Sequence, residues 1–115
     1  MNEKETPYLE GWLAFQVKKE NLSWVLIQGI VKGDIVLLSE QDSAFGYIKV
    51  GSGKVFFHEG SWVLKSPLDV YSVFTLEDFY TLLVRLRKEG QSCYQYSSHT
   101  LIFTNAIPSG RFLTC

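Results

Sequence analysis

Histidine and cysteine are scarce in this sequence. Among its 115 residues, the histidines are His58 and His99 and the cysteines are Cys93 and Cys115. A thiolate metal site uses closely spaced cysteine pairs, and a catalytic site needs several titratable groups that converge. The sequence provides neither arrangement. We therefore expect a chain that is not an enzyme and that carries no metal and no cofactor.

The sequence also lacks an excess of charge of one sign and a long apolar run. Eleven basic and twelve acidic side chains give a formal net charge of -1. The chain as a whole therefore has no general attraction to phosphate polymers or anionic lipid. No run approaches the roughly 20 apolar residues that span a bilayer, and the opening MNEKET does not resemble a signal peptide. We expect a soluble, cytoplasmic protein without a membrane contact.

The scarce residues have structural interpretations. Because a reducing compartment disfavours disulfides, we interpret Cys93 as a small hydrophobic residue in a strand. His99 follows two serines, and we interpret it as a turn residue rather than as half of a Ser-His catalytic pair. Neither side chain is expected to react.

Aromatic residues, in contrast, are abundant. Three Trp, six Tyr and eight Phe make up 15% of the chain, and hydrophobic residues make up 46%. A chain of this length and composition can bury one core. The first residues are polar and end at Pro7. We expect residues 1–7 to form a flexible N-terminal arm and residues 8–115 to form a single globular domain.

Short runs rich in β-branched and aromatic residues alternate with turn residues along most of the chain. The runs at residues 11–17 and 23–31 are separated by the polar segment KKEN and predict a hairpin. Further runs predict strands at residues 35–38, 45–50, 54–57, 62–64, 93–97 and 100–104. We expect the strand at residues 62–64 to end before Pro67, because proline is unsuited to a central strand.

One segment has helical spacing. Thr75 and Asp78 resemble a capping box, apolar residues then recur at helical intervals, and Gly90 is a suitable stop. We predict a helix near residues 75–89, with a strand over residues 79–86 as the alternative. The whole pattern predicts an α+β domain that is mainly β. A small barrel or a strongly curved antiparallel sheet, with an OB-like barrel as one option, would pack against the helix.

The segment FGYIKVGSGKVFFH, residues 45–58, alternates large rings with aliphatic residues on both sides of a glycine turn. Side chains at i and i+2 share a face of a strand. The opposite face carries enough aliphatic and aromatic residues for a core, which favours rings that face outward. Aromatic residues in a hairpin also commonly form the inward face of a barrel, and this alternative stays open.

The runs FGYI and VFFH within this segment resemble the paired ribonucleoprotein motifs of the cold-shock domain family. Those motifs read roughly FGFI and VFVH and lie on adjacent strands of a five-stranded OB barrel. The resemblance implies that four side chains stack on the bases of single-stranded RNA or DNA, namely Phe45, Tyr47, Phe56 and His58. Stacking on a ring has little sequence preference. Lys49 and Lys54, at the rim, would meet backbone phosphates.

Two functional hypotheses follow for a non-enzymatic binding module. In the first, the aromatic surface binds single-stranded RNA or DNA. In the second, the same surface, together with Trp12, Trp24 or Trp62, binds a protein, either a regulatory target or a second copy as a homodimer. The balanced charge favours the protein partner, whereas the paired motifs favour nucleic acid.

Overall fold

The computed structural model describes residues 9–22, 25, 29–39, 45–106 and 108–110. The expected arm of residues 1–7 lies outside this part of the chain. The described residues form eight strands, a short 3-10 helix at Lys19–Asn21 and a longer helix, α1. Their bounds are β1 Leu13–Gln16, β2 Asp34–Ser39, β3 Phe45–Val50, β4 Gly53–His58, β5 Trp62–Lys65, β6 Tyr71–Phe74, α1 Leu76–Lys88, β7 Cys93–Ser97 and β8 Thr100–Phe103.

The strands form two antiparallel sheets. The large sheet has the order β6-β5-β1-β8-β7, and the small sheet has the order β2-β3-β4. The expected α+β class with mainly β structure is confirmed. The described strands do not close into a barrel, so the barrel option, including the OB-like one, is not confirmed.

Burial on both faces of β1 and β5 explains the layered arrangement. Phe15 and Val63 lie in a core shared with the small sheet, whereas their neighbours Ala14 and Leu64 lie in a core shared with α1. A strand that is apolar on both faces needs a layer on each side, as in buried sheets. The molecule therefore has three layers, with the large sheet between the small sheet and the helix.

Helix α1 forms where the spacing predicts it, and the alternative strand over residues 79–86 is wrong. The Oγ1 atom of Thr75 accepts a hydrogen bond of 3.1 Å from the backbone N–H of Asp78, which satisfies one free donor of the first turn. Gly90 follows the helix with φ 88°, a conformation that glycine adopts without strain. Phe79 stacks on Trp62 of the large sheet with ring centroids 4.4 Å apart.

Strand β1 does not pair with residues 23–31 in the predicted hairpin, although residues 23, 24 and 26–28 of that run lie outside the described part of the chain. Strand β1 exists, but it pairs with β5 and β8. Asn21 accepts a hydrogen bond from the backbone N–H of Lys18 and donates one to the carbonyl of Gln16, so the polar segment begins a helical turn instead of a hairpin turn. The described residues Leu22 and Val25 are helical, and both are buried between the sheets. Tertiary burial thus overrides the strand propensity of this run.

Strand β6 was not expected from the sequence. It is four residues long and pairs with β5 after a turn that contains Pro67. Ser66 Oγ accepts hydrogen bonds from the backbone N–H groups of Leu68 and Val70, which tightens that turn. Pro67 lies outside the strands, as predicted. The other strands predicted after residue 34 are present within one or two residues of their expected bounds.

Cys93 and His99 lie in one hairpin, β7–β8. Cys93 is fully buried in β7, as expected, but it is disulfide-bonded, so the expectation of a free thiol is wrong. That expectation depended on an assumed reducing compartment and not on any geometry. His99 lies in the turn between β7 and β8, as predicted, and its carbonyl accepts a 2.9 Å hydrogen bond from the backbone N–H of Gln16.

Within the described part of the chain, no helix has the length and apolar character to cross a bilayer.

Candidate binding surface

The segment of residues 45–58 forms the hairpin β3–β4. Gly51 has φ 61° in the two-residue turn, which closes on the pair Val50 and Gly53. This register places three pairs directly opposite each other on one face of the small sheet. The pairs are Phe45 with His58, Tyr47 with Phe56, and Lys49 with Lys54.

These three pairs point away from the protein core. On the inner face of the same hairpin, Ile48 and Phe57 are each only 1% exposed, and both belong to the core between the sheets. On the outer face, Phe56 is 50% exposed, and His58 is exposed as well. Of the two orientations that the sequence left open, the structure adopts the one with the rings outside. We name this surface the aromatic face, and it comprises Phe45, Tyr47, Lys49, Lys54, Phe56 and His58.

The rings of the aromatic face pack against each other across the strands. The centroids of Phe45 and His58 are 4.8 Å apart, with an interplanar angle of 32°. Tyr47 and Phe56 meet edge to face at 5.3 Å and 60°. Such pairs stabilise a hairpin by up to about 1 kcal/mol each and restrict the rings to defined positions. The face is therefore an ordered platform before any ligand arrives.

Charge is concentrated at the hairpin end of the aromatic face. Lys49 and Lys54 form the row next to the turn, and Lys54 Nζ lies 4.9 Å from the centroid of the Tyr47 ring. This is a cation–π distance, so the ammonium group is held beside the ring. Asp34 of β2 lies opposite Lys49 in the strand register, and its negative charge partly offsets the positive charge of the lysine row. The result is an apolar platform with a weakly basic end.

Strand β2 extends the surface on one side. Val36 lies opposite Tyr47, and the register then shifts between Leu37 and Ser39. Leu38, within this irregularity, is 53% exposed. A β-carbon at Gly46 would overlap the carbonyl oxygen of Val36, so only glycine fits where the two backbones approach. The glycine of the FGYI run thus permits the pairing that brings β2 beside the rings.

No protein-family model, curated protein or solved structure matches this chain. The resemblance to the cold-shock domain family therefore rests on the two motifs of the hairpin. The argument for function rests on the geometry of the aromatic face.

Two of the three tryptophans expected to contribute to this surface lie elsewhere. Trp12 and Trp62 pack against the core between the large sheet and α1, and Trp24 lies outside the described residues. The large sheet separates that core from the small sheet, so neither Trp12 nor Trp62 belongs to the aromatic face. The hypothesis of a protein interface that includes these two residues is wrong in that detail.

Apart from the aromatic face, a depression of about 280 Å³ lies at the β7–β8 turn. Its lining residues are Glu20, Asn21, Ser97, Ser98 and His99. No local pattern indicates that Glu20 lies near His99, because the two residues are 79 positions apart in the chain. The side chain of Asn21 is bonded to the local backbone and shapes the wall. No hydrogen bond between described side chains orients the His99 ring for proton transfer, so the depression does not support a Ser-His site.

Metal ligands are not gathered in the described residues. No group of three or more His, Cys, Asp or Glu side chains is close enough there to hold a metal ion.

Proposed function

We propose that this chain is a non-enzymatic module that binds a short single strand of RNA or DNA on its aromatic face. One observation carries the proposal: four rings of one hairpin lie on the outer face of a sheet whose inner face already forms the core. Rings that the core does not need are available to a ligand. Side chains two apart in a strand are separated by about 7 Å, so the two rows of rings offer two stacking positions.

The energetics favour a modest affinity. Stacking on an aromatic ring contributes about 1–3 kcal/mol per base, and two positions contribute roughly 2–6 kcal/mol. The lysine row supplies two cations for backbone phosphates. Two phosphate contacts to a single strand give a slope of about -1.4 in the logarithm of the binding constant against the logarithm of salt concentration. Binding is therefore tightest at low salt.

The proposed mode does not need an OB-like barrel. In the family that the motifs resemble, adjacent strands of a barrel carry the two motifs. Here, adjacent strands β3 and β4 of a layered domain carry them. Only the two neighbouring strands are needed, because their rings already share one face.

A protein partner is the second candidate, and a separate observation favours it. Val36 lies opposite Tyr47 and Leu38, in the irregularity of β2, is 53% exposed, so aliphatic side chains extend the aromatic face on the side of β2. Base stacking makes no use of such side chains, whereas a protein interface buries them. In this alternative, the rings are the anchors of an apolar interface.

A titration of labelled single-stranded RNA and DNA oligonucleotides of mixed sequence, followed by fluorescence anisotropy at several salt concentrations, separates the two candidates. We expect saturable binding that weakens as salt rises. Phe56→Ala should weaken binding roughly 5- to 150-fold, the equivalent of 1–3 kcal/mol of stacking. Leu68→Ala is the matched control, because Leu68 is an exposed apolar side chain that is not part of the aromatic face.

Two results would count against nucleic acid as the ligand. One is the absence of binding at low salt. The other is binding that Phe56→Ala leaves unchanged while the variant remains folded by circular dichroism. Either result would leave the protein partner as the better candidate.

A further inference from the structure

The outer side of α1 carries exposed apolar side chains. Leu76 and Tyr80 are 60% and 68% exposed, and Val84 continues the same line at a spacing of four residues. The side of the helix that faces the large sheet is formed by other residues, including Phe79 and Leu86. The core does not account for the exposed line. We name Leu76, Tyr80 and Val84 the outer helix stripe.

Two shallow depressions follow this stripe. One, of about 580 Å³, is lined by Leu76, Glu77, Tyr80 and Thr81. The other, of about 390 Å³, is lined by Tyr80, Thr81, Val84, Arg85, Lys88 and Glu89. Both include Tyr80 and Thr81, so the two depressions adjoin along the outer side of α1, and we call them together the groove. A second helix is an occupant of matching shape.

The charges beside the groove have opposite signs at its two ends. Glu77 and Asp78 lie in the first turn of α1, and all the basic residues of the helix lie in its last turns, at Arg85, Arg87 and Lys88. The helix dipole favours such an arrangement within one helix, but it does not account for the exposed stripe between the charges. An antiparallel copy of the same helix matches both features. It sets an acidic first turn beside a basic last turn at each end.

We propose that the outer helix stripe is a homodimer interface in which two copies of α1 pack antiparallel about a twofold axis that passes between Tyr80 and Val84. Two residues, one from each copy, then face each other when their residue numbers sum to about 164. Tyr80 meets Val84 of the second copy, and Glu77 meets its Arg87 or Lys88. Each contact occurs twice, as twofold symmetry requires. A helix of 13 residues is about 20 Å long, so the interface is small and the dimer is weak.

The proposed dimer has a geometric consequence. The helix layer lies on one side of the large sheet and the small sheet lies on the other. Two copies joined through α1 would therefore present their aromatic faces on opposite outer sides of the dimer. The dimer does not depend on what the aromatic face binds. A ligand long enough to reach both faces would gain from their linkage.

Sedimentation of the full chain at concentrations from about 10 µM to 1 mM tests the proposal. We expect the apparent mass to rise from 13.2 kDa toward twice that value as concentration increases. Glu77→Lys and Lys88→Glu should each remain monomeric, because each sets like charges against each other at both ends. An equimolar mixture of the two variants should dimerise again, since both contacts become attractive in the mixed pair.

The mixture separates an interface from a folding defect. Each substitution disturbs the helix dipole of its own chain, and mixing does not repair that effect, so only an intermolecular contact predicts recovery. Tyr80→Ala should also remove the dimer, while Phe56→Ala should leave it unchanged. A wild-type chain that stays monomeric to 1 mM, or a mixture that stays monomeric, would overturn the proposal. A dimer that Phe56→Ala abolishes would place the interface on the aromatic face and would also overturn it.

Discussion

At the scale of single residues, Phe56 and Phe57 show how the fold divides its aromatic side chains. They are neighbours in β4, yet Phe56 is half exposed and Phe57 is buried between the sheets. Strand geometry sends consecutive side chains to opposite faces. One ring therefore contributes to stability, and the other is free for binding.

Alanine substitution of these two residues should have different effects on the free energy of unfolding. Phe57→Ala removes a ring from a packed core and should destabilise the protein by about 3–5 kcal/mol. Phe56→Ala should destabilise it by less than about 1 kcal/mol, because that ring contacts mainly Tyr47. Urea denaturation of the wild type and both variants measures the difference. Equal destabilisation by the two variants would show that Phe56 is also a core residue.

Tyr71 is the residue that joins the segment before β2 to the large sheet. Its hydroxyl accepts a 2.6 Å hydrogen bond from the backbone N–H of Lys32 and lies 3.5 Å from the carbonyl of Ile30. Burial raises the pKa of the Tyr71 phenol above its ordinary value of 10.0, and the hydrogen bond from Lys32 opposes this shift. The folded state thus prefers the protonated phenol.

This preference makes stability depend on pH in the alkaline range. The contribution of Tyr71 is fully present below pH 10, the ordinary pKa of the unfolded chain. It is lost as the pH rises through the raised pKa of the folded state. We expect the wild-type melting temperature to fall more steeply above pH 10 than that of Tyr71→Phe. At neutral pH the variant should be less stable by about 1 kcal/mol, for the lost hydrogen bond. If the melting temperatures of the wild type and of Tyr71→Phe changed with pH in the same way, this role of Tyr71 would be contradicted.

At the scale of elements, the small sheet depends on a close backbone contact between β2 and β3. Gly46 in β3 leaves room for the carbonyl oxygen of Val36, and any β-carbon at this position would overlap it. The contact lies next to the middle row of the aromatic face, because Val36 is opposite Tyr47. The position of β2 beside the rings therefore depends on a residue without a side chain.

Gly46→Ala should separate β2 from β3 locally and destabilise the protein by roughly 1–3 kcal/mol, the range for overpacking. Gly53→Ala is the matched control in the same hairpin, because a β-carbon there would lie 3.7 Å from its nearest neighbour, the carbonyl oxygen of Val50. Amide hydrogen exchange should show lost protection in β2 for Gly46→Ala only. If both variants exchange like the wild type, the close contact has no structural role.

Elements with a complete local signal were predicted correctly, and elements without one were not. Helix α1 has a cap, apolar periodicity and a glycine stop, and the hairpin β3–β4 has alternation and a glycine turn, so both follow from short stretches of chain. Residues 23–31 look like a strand by composition, but burial between the sheets makes Val25 helical. Strand β6 runs directly into Thr75, the cap of α1, with no turn residue between them to mark its end, and its pairing with β5 determines it.

At the scale of the whole molecule, the large sheet belongs to both cores. Strand β1 contributes Phe15 to the core with the small sheet and Ala14 to the core with α1. Loss of either core would expose one face of the same strand. The two cores are therefore coupled through the backbone of the large sheet.

We expect this coupling to produce one cooperative unfolding transition. Phe57→Ala weakens the core with the small sheet, and Phe79→Ala weakens the core with α1. Each variant should lower the midpoint of the same urea transition, and tryptophan fluorescence should coincide with far-UV circular dichroism. Two separate transitions in Phe79→Ala would indicate that the small sheet and its core are stable without the helix layer.

The sequence by itself determined the local elements and the grouping of the rings. Alternation placed Phe45, Tyr47, Phe56 and His58 on one face, because side chains in a strand have a period of two. Alternation does not say which face a core will cover. Only the tertiary structure decided that the core between the sheets covers the inner face of the small sheet, and that β1 and β5 are covered on both faces. The reason is that burial depends on contacts between segments far apart in the chain, which no local pattern contains.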